Sequence, residues 1–328
     1  MLRWIFGMLF GMLLLISIMF GQLLYNANEN KENQEPVVKP EYHLQIITQN
    51  TDEYFWTFFK EGAKAAQDEF GVYVEFVPVS QKDASVIKEA VEKGINAGVD
   101  AIAFQPADTQ QTQNMVTEAK KQGTPLLTFE NDSYNIPNTP MVGSSSYNIG
   151  TMAGNMAVEA TGGKSNVVVI MNEAGEQGDI LYRNLLIQGI MESFSRYSTI
   201  NIKEIYTLSK DMFEAERVTS SIISGIQDAD LIVCVDERST PGVAQVLVDN
   251  NMVGDIKVVG YGIMPQTLDY IKRGVIYGTV CPNAYEIGYY TVKQLTLSLK
   301  GEQISDYTPT EVYSINAENV NQYDEMIQ

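Results

Sequence analysis

The feature that most constrains this chain is an alternation running from residue 43 to residue 315, in which short β-rich apolar runs are separated by amphipathic segments of helical period. The first series reads HLQIIT (43–48), helix 54–70, VYVEFVPV (72–79), helix 83–97, AIAF (101–104), helix 108–122, PLLTFE (125–130) and MVGSS (141–145), followed by a helix through Met156. The second reads NVVVIM (166–171), helix 179–196, NIKEIYTL (201–208), helix 212–226, LIVCVD (231–236), helix 240–250, KVVGYG (257–262), helix 265–273 and YGTV (277–280). Strand, helix and strand at this spacing predict parallel sheets wound by right-handed crossovers. Two such series predict an α/β protein of two doubly wound, Rossmann-like lobes. A closing helix over 285–299 and an extended TPTEVYSI (308–315) are too few for a third domain and are expected to complete the sheets already begun.

In a doubly wound sheet the ligand crevice lies beyond the carboxyl ends of the strands. The candidate site residues are therefore those just after strands, at 49–56, 105–108, 130–132, 144–147, 172–177, 236–238 and 262. Within that set the chemistry of catalysis is thin. The single histidine, His43, stands at the start of a strand, and there is no G-x-S-x-G, no phosphate-binding GxxxxGK[ST] and no GxGxxG after the first strand. Cys234 and Cys281 sit in or beside apolar strands as small buried thiols, with no CxxC and no metal spacing. No catalytic residue, cofactor or metal is expected, and a paired-carboxylate sugar enzyme remains only a minor alternative. The 41 acidic residues against 22 basic, a net charge of -19, exclude nucleic acid as a partner.

Ahead of the alternation, residues 4–25 form an apolar run whose clearly polar members are Ser17 and Gln22, long enough to span a bilayer. With Arg3 before it, the run reads as an uncleaved anchor that leaves the body extracytoplasmic, or as a signal peptide over 1–25 that is removed. Residues 26–41 are polar, proline-containing and aperiodic, as a tether is.

The stretch TQNTDEYFWTFFKEG (48–62) concentrates aromatics at the first turn of a helix. Phased from the cap residues Asn50, Thr51 and Asp52, Phe55, Phe59, Gly62, Ala66 and Phe70 fall on one core stripe. Tyr54 and Trp56 lie to either side and are expected to offer their faces to a ligand. Flat aromatics (Tyr54, Phe55, Trp56, Tyr147, Tyr261) mixed with amides, carboxylates and Arg183 suit a small polyol or sugar, whose C–H faces stack while its hydroxyls hydrogen-bond.

From Tyr42 to about Ile315 the sequence resembles the type I periplasmic sugar-binding proteins, similar to the ribose-, galactose- and xylose-binding proteins of ABC transporters. The segments that carry the likeness include QNTDEYFWTFFKEGAKAAQDEFG (49–71), AGVDAIAFQPAD (97–108), YNIGTMAGNMA (147–157), VCVDERSTPGVAQVL (233–247) and TVCPNAYEIGYYTVKQL (279–295). The resemblance implies ligand binding by Gln49, Glu53, Tyr54, Phe55, Trp56, Glu130, Asn131, Tyr147, Arg183, Asp236, Gly262 and Asn283. Phe55 and Trp56 correspond to the family's paired aromatics, Glu130-Asn131 to its Asp-Arg pair, and Asp236 to its amide or carboxylate after the strand LIVCV. Gly262 stands where the family often has aspartate, and Pro282-Asn283 where it has a glutamine, so a ribose-type ring of hydrogen bonds is not reproduced. The implied ligand is another pentose, hexose or polyol, or a non-sugar, with the carboxylates leaving room for an amine. The resemblance also implies lobe 1 over 42–145 plus 283–311, lobe 2 over 146–282 plus 312–328, and a three-crossing hinge. The implied partner is an ABC permease, or alternatively the extracytoplasmic domain of a sensor histidine kinase.

Overall fold

The computed structural model describes residues 11, 17–22, 40–49, 54–80, 83–107, 109–131, 136–173, 177–208, 213–225 and 228–327. The chain divides into two units, 1–41 and 42–328. In the first, residues 17–22 are helical and exposed. Apart from residues 11, 17–22 and 40–41, the apolar run at 4–25 and the tether at 26–41 lie outside the described residues, among which no helix is long and apolar enough to cross a membrane.

The second unit holds two six-stranded sheets. The first is built from β1 (His43–Gln49), α1 (Tyr54–Phe70), β2 (Tyr73–Val79), α2 (Ala84–Ala97), β3 (Ala101–Phe104), α3 (Thr109–Gln122), β4 (Leu126–Asn131) and β5 (Met141–Ser144). The second comprises α4 (Ser146–Thr161), β6 (Ser165–Asn172), α5 (Gln177–Phe194), β7 (Ile200–Leu208), α6 (Glu214–Ile223), β8 (Leu231–Cys234), α7 (Ser239–Asp249), β9 (Lys257–Tyr261), α8 (Pro265–Lys272) and β10 (Gly278–Pro282). The chain then returns through α9 (Ala284–Leu299) and β11 (Tyr307–Pro309) to the first lobe, and ends with β12 (Val312–Asn316) and α10 (Val320–Ile327) in the second. Strand orders are β11-β5-β4-β3-β1-β2 and β12-β10-β9-β8-β6-β7, the same winding twice. All pairings are parallel except β10 with β12, which is antiparallel.

The strands are apolar on both faces because both faces are covered, and the alternate side chains go to different cores. In the first lobe Ile47, Ile102 and Phe104 join α2 and α3, whereas Leu44, Ile46, Leu127 and Phe129 turn toward α1 and α9. In the second, Val167, Val169, Leu231 and Val233 face α4 and α5, and Val168, Ile170, Ile232 and Cys234 face the opposite side. Helix ends follow from the sequence. Asp83 caps α2 by accepting from the N–H groups of Ser85 and Val86, and Gly98 closes it at φ 76° in the left-handed region.

The helix pairs α1/α9 and α4/α5 are each drawn together at glycines. A Cβ on Gly62 would stand 1.9 Å from the carbonyl oxygen of Tyr285, and one on Gly288 1.9 Å from that of Phe59. In the second lobe Gly150 meets the carbonyl of Leu186 at 1.9 Å and Gly189 that of Tyr147 at 2.2 Å. No other residue allows backbones so close.

Three expectations are corrected. The core stripe of α1 is broader than expected and centred differently: Phe59, Gly62 and Ala66 are buried as expected, but Trp56, 3% exposed, is buried with them beside Phe58 and Ala63, and Phe55 and Phe70 are half-buried. The indole packs edge-on against Phe59 and Phe129, at 5.6 and 6.1 Å between centroids, because the space over β4 takes the larger ring. The stretch 308–315 is not one strand but two, interrupted at Thr310 and Glu311 where the chain passes between sheets. Finally, α4 runs beyond Met156 to Thr161, where Gly162 at φ 63° ends it.

Trp56→Ala should therefore destabilise the protein by roughly 3 to 5 kcal/mol in urea unfolding, and wild-type stability would show that the indole is not core. Gly288→Ala should cost about 3 kcal/mol by the same measurement, since the two helices must separate to admit the methyl.

Candidate functional site

Between the two sheets, at the carboxyl ends of their strands, lies a cavity of about 420 Å³. Each lobe supplies part of it from equivalent places. Phe55 of α1 and Tyr182 of α5 both line it, and each stands seven residues before the glycine, 62 or 189, that seats its helix. Phe58 and Tyr285 extend the aromatic surface of the first lobe, and Tyr261 and Tyr313 that of the second. The hydroxyl of Tyr182 donates to that of Tyr261 at 3.3 Å.

Most of the polar groups stand at strand ends or just after them. Glu130 is the penultimate residue of β4 and has φ 96°, a backbone conformation that a non-glycine residue holds only when its surroundings fix it. Asp236 follows β8 and holds the turn that leads into α7, its Oδ1 accepting from the N–H groups of Arg238 and Ser239 at 3.1 and 2.9 Å. Burial pushes the Asp236 carboxyl above its ordinary value, although hydrogen bonds from Ser239, Arg238 and Asn172 hold it down in part. Arg183 lies on the back wall, where its Nη2 donates to Met171 Sδ and Thr207 Oγ1, both at 2.9 Å. Asn283 caps α9 by accepting from the Glu286 N–H at 3.0 Å. The Tyr261 phenol is pushed well up by burial, by Tyr182 and by the charge of Glu130. Among the described residues no cluster of His, Cys, Asp or Glu could hold a metal ion.

Of the residues expected in the site, Phe55, Glu130, Arg183, Asp236, Gly262 and Asn283 are brought together around the cavity. Four others are not. Trp56 is in the core, and Tyr54 packs half-buried against that core. Gln49 donates from Nε2 to Gln105 Oε1 within the first lobe, and Tyr147 sits on α4 with its carbonyl against Gly189. Glu53 and the side chain of Asn131 lie outside the described residues. Tyr182 and Tyr285 were not expected. The signal for Tyr285 was present as the Tyr-x-Ile-Gly of 285–288, which repeats that of 147–150, and Tyr182 is found by counting back from Gly189 as Phe55 is from Gly62.

The three chain crossings are tied together beside the cavity. Asn283 donates its N–H to the Glu311 carbonyl at 2.9 Å, Ser144 Oγ is 2.9 Å from Thr310 Oγ1, and Thr310 N–H donates to the Gly143 carbonyl at 3.0 Å.

Residues 45–303 match the periplasmic binding protein domain family. The chain is 22% identical over 269 residues to the D-allose-binding periplasmic protein of Escherichia coli, covering 79% of this chain and 85% of that one. Among solved structures, a solute binding protein of an ABC transporter from Burkholderia graminis in complex with D-arabinose superposes with a TM-score of 0.77 at 22% identity, over 87% of this chain and 98% of that one. Another from Bacillus halodurans with bound myo-inositol gives 0.75 at 21%, over 87% and 98%. The twice-repeated winding, the interlobe cavity and the match over most of its length agree: the chain belongs to the periplasmic binding protein domain family.

Proposed function

We propose that the protein binds a small polyhydroxylated ligand, a sugar or polyol, in the interlobe cavity and supplies it to an ABC permease outside the cytoplasm. The observation that carries this reading is a cavity of about 420 Å³ with aromatic rings from both lobes and polar groups at the strand ends. Rings stack on the C–H faces of a sugar while carboxylates, amides and guanidinium groups bond its hydroxyls. The relatives named for D-allose, and the structures holding D-arabinose and myo-inositol, support the ligand class.

The ligand would be gripped by Phe55, Glu130 and Asn283 from one lobe and by Tyr182, Asp236 and Arg183 from the other. Lobe 1 would comprise 42–145 plus 283–311 and lobe 2 146–282 plus 312–328, with the bonded crossings as the hinge. A ligand touching both lobes favours the closed form by its extra affinity for that form. The apolar run at 4–25 would carry the body across the membrane, either retained as an anchor or removed as a signal peptide. If it is retained, the tether favours a second reading, in which the closed form is presented to the extracytoplasmic domain of a sensor kinase. Uptake of ligand by membranes carrying a candidate ABC permease, against ligand-dependent kinase autophosphorylation, separates the two.

Thermal unfolding of the protein against pentoses, hexoses and polyols should show a stabilisation of about 2.7 kcal/mol at a hundredfold excess over the dissociation constant. Phe55→Ala should lose that ligand stabilisation while keeping most of the unliganded stability, because Phe55 is half-buried at the cavity wall. Equal ligand stabilisation in wild type and Phe55→Ala would remove the aromatic wall from the binding account.

A further inference from the structure

The polar and apolar groups that line the interlobe cavity are divided along the second sheet, whose strands run in the order β12-β10-β9-β8-β6-β7. At the ends of β6 and β8 stand Asn172, Glu173, Asp236, Glu237 and Arg238. At the ends of β9, β10 and β12 stand Tyr261, Ile263, Cys281, Pro282 and Tyr313, and among the described lining residues none there is charged. Neighbouring strands lie about 4.8 Å apart, so three of them make an apolar floor roughly 10 Å across. Glu237 marks the border, its Oε1 accepting the Ile263 N–H at 3.2 Å.

The apolar half adjoins the crossings. Cys281 and Tyr313 are directly opposed in the antiparallel pairing of β10 with β12, so their side chains share one face of the sheet. The Cys281 thiol is pushed up by burial and by the charge of Glu237, and stays neutral. Past Pro282 the chain carries the surface on into Ala284 and Tyr285 at the start of α9. Phe58 adds a ring from α1, one turn before the Gly62 that meets the Tyr285 carbonyl. Asn283 is the polar exception, with its Oδ1 in the cap of α9 and its N–H on the Glu311 carbonyl.

A bare sugar does not suit both halves. Its ring has two faces, which Phe55 and Tyr182 from opposite lobes would cover. A hydroxyl pressed against Ile263 or Cys281 would lose its water without gaining a partner, whereas an apolar group there gains in proportion to the area it removes from water. The volume of about 420 Å³ lies within the range, roughly 300 to 1,000 Å³, of pockets that enclose drug-sized ligands. We propose that the ligand is a sugar or polyol carrying an apolar substituent, as an aryl glycoside does, with its hydroxyls at the ends of β6 and β8 and the substituent against β9, β10 and β12. The proposal rests on the reading of the cavity as a sugar site and extends it to the half that a bare sugar leaves unused.

The test is titration calorimetry on the full chain in a detergent without a sugar headgroup, comparing glucose and galactose with their methyl and phenyl glycosides and with phenol. A phenyl glycoside should bind about tenfold or more tightly than the methyl glycoside of the same sugar and anomer. Tyr285→Ala and Tyr313→Ala, each checked for folding by its unliganded melting temperature, should bring that ratio to within about threefold. Tyr285 is 39% exposed, so its variant keeps the test decisive if Tyr313, packed on Tyr323, is needed for folding. Methyl and phenyl glycosides binding equally, or phenyl glycosides excluded while glucose or galactose binds, would overturn the apolar-substituent proposal and leave the sugar reading intact. A ratio that survives both substitutions would overturn the placement of the substituent beside the crossings. Phenol binding as tightly as the phenyl glycosides would overturn the sugar reading, and binding of nothing in the panel would overturn both.

Discussion

The structure depends on two places where helix backbones touch. Where Gly62 and Gly288 bring α1 against α9, and Gly150 and Gly189 bring α4 against α5, carbonyl oxygens stand in the room that side chains would fill. Each contact fixes how its helix pair lies on the sheet, and therefore where the first turn of α1 or α5 points. Those turns carry Phe55 and Tyr182 to the carboxyl ends of the strands from opposite lobes, and Phe59 and Leu186 into the cores beneath. The aromatic walls are a consequence of packing that glycine alone permits.

The second dependence is on the hinge. Three crossings lie side by side and are hydrogen-bonded through Ser144, Thr310, Glu311 and Asn283, so that in the proposed closure they would bend together. Asn283 belongs to this joint, to the cap of α9 and to the cavity wall at once. A ligand contacting it would thus touch the element proposed as the hinge.

Much of this was legible in the sequence, because fully buried parallel strands such as AIAF and LIVC are continuous apolar runs bounded by helices of clear period. What failed did so where two signals of equal strength compete. In YFWTFF every position but one is aromatic, so the helix phase cannot be set by hydrophobicity, and the space above Phe129 decided for Trp56. The break within TPTEVYSI was hidden because both halves are extended and only their partners differ, one parallel to β5 and one antiparallel to β10. Of the site, strand-end residues such as Asp236 and Glu130 were found by topology, while Tyr182 and Tyr285, within helices, needed the repeated glycine spacing as a guide.

Ligand-driven closure of the two lobes is the centre of this account, and a distance between them measures it directly. Spin labels on Gln113→Cys in α3 and Ser220→Cys in α6 occupy exposed positions on different lobes, and the native Cys234 and Cys281 are buried. Pulsed electron resonance should give a longer, broader distance distribution without ligand, and a shorter, narrower one with a saturating sugar. A distribution that stays the same when the ligand is shown to be bound would contradict closure as the protein's response.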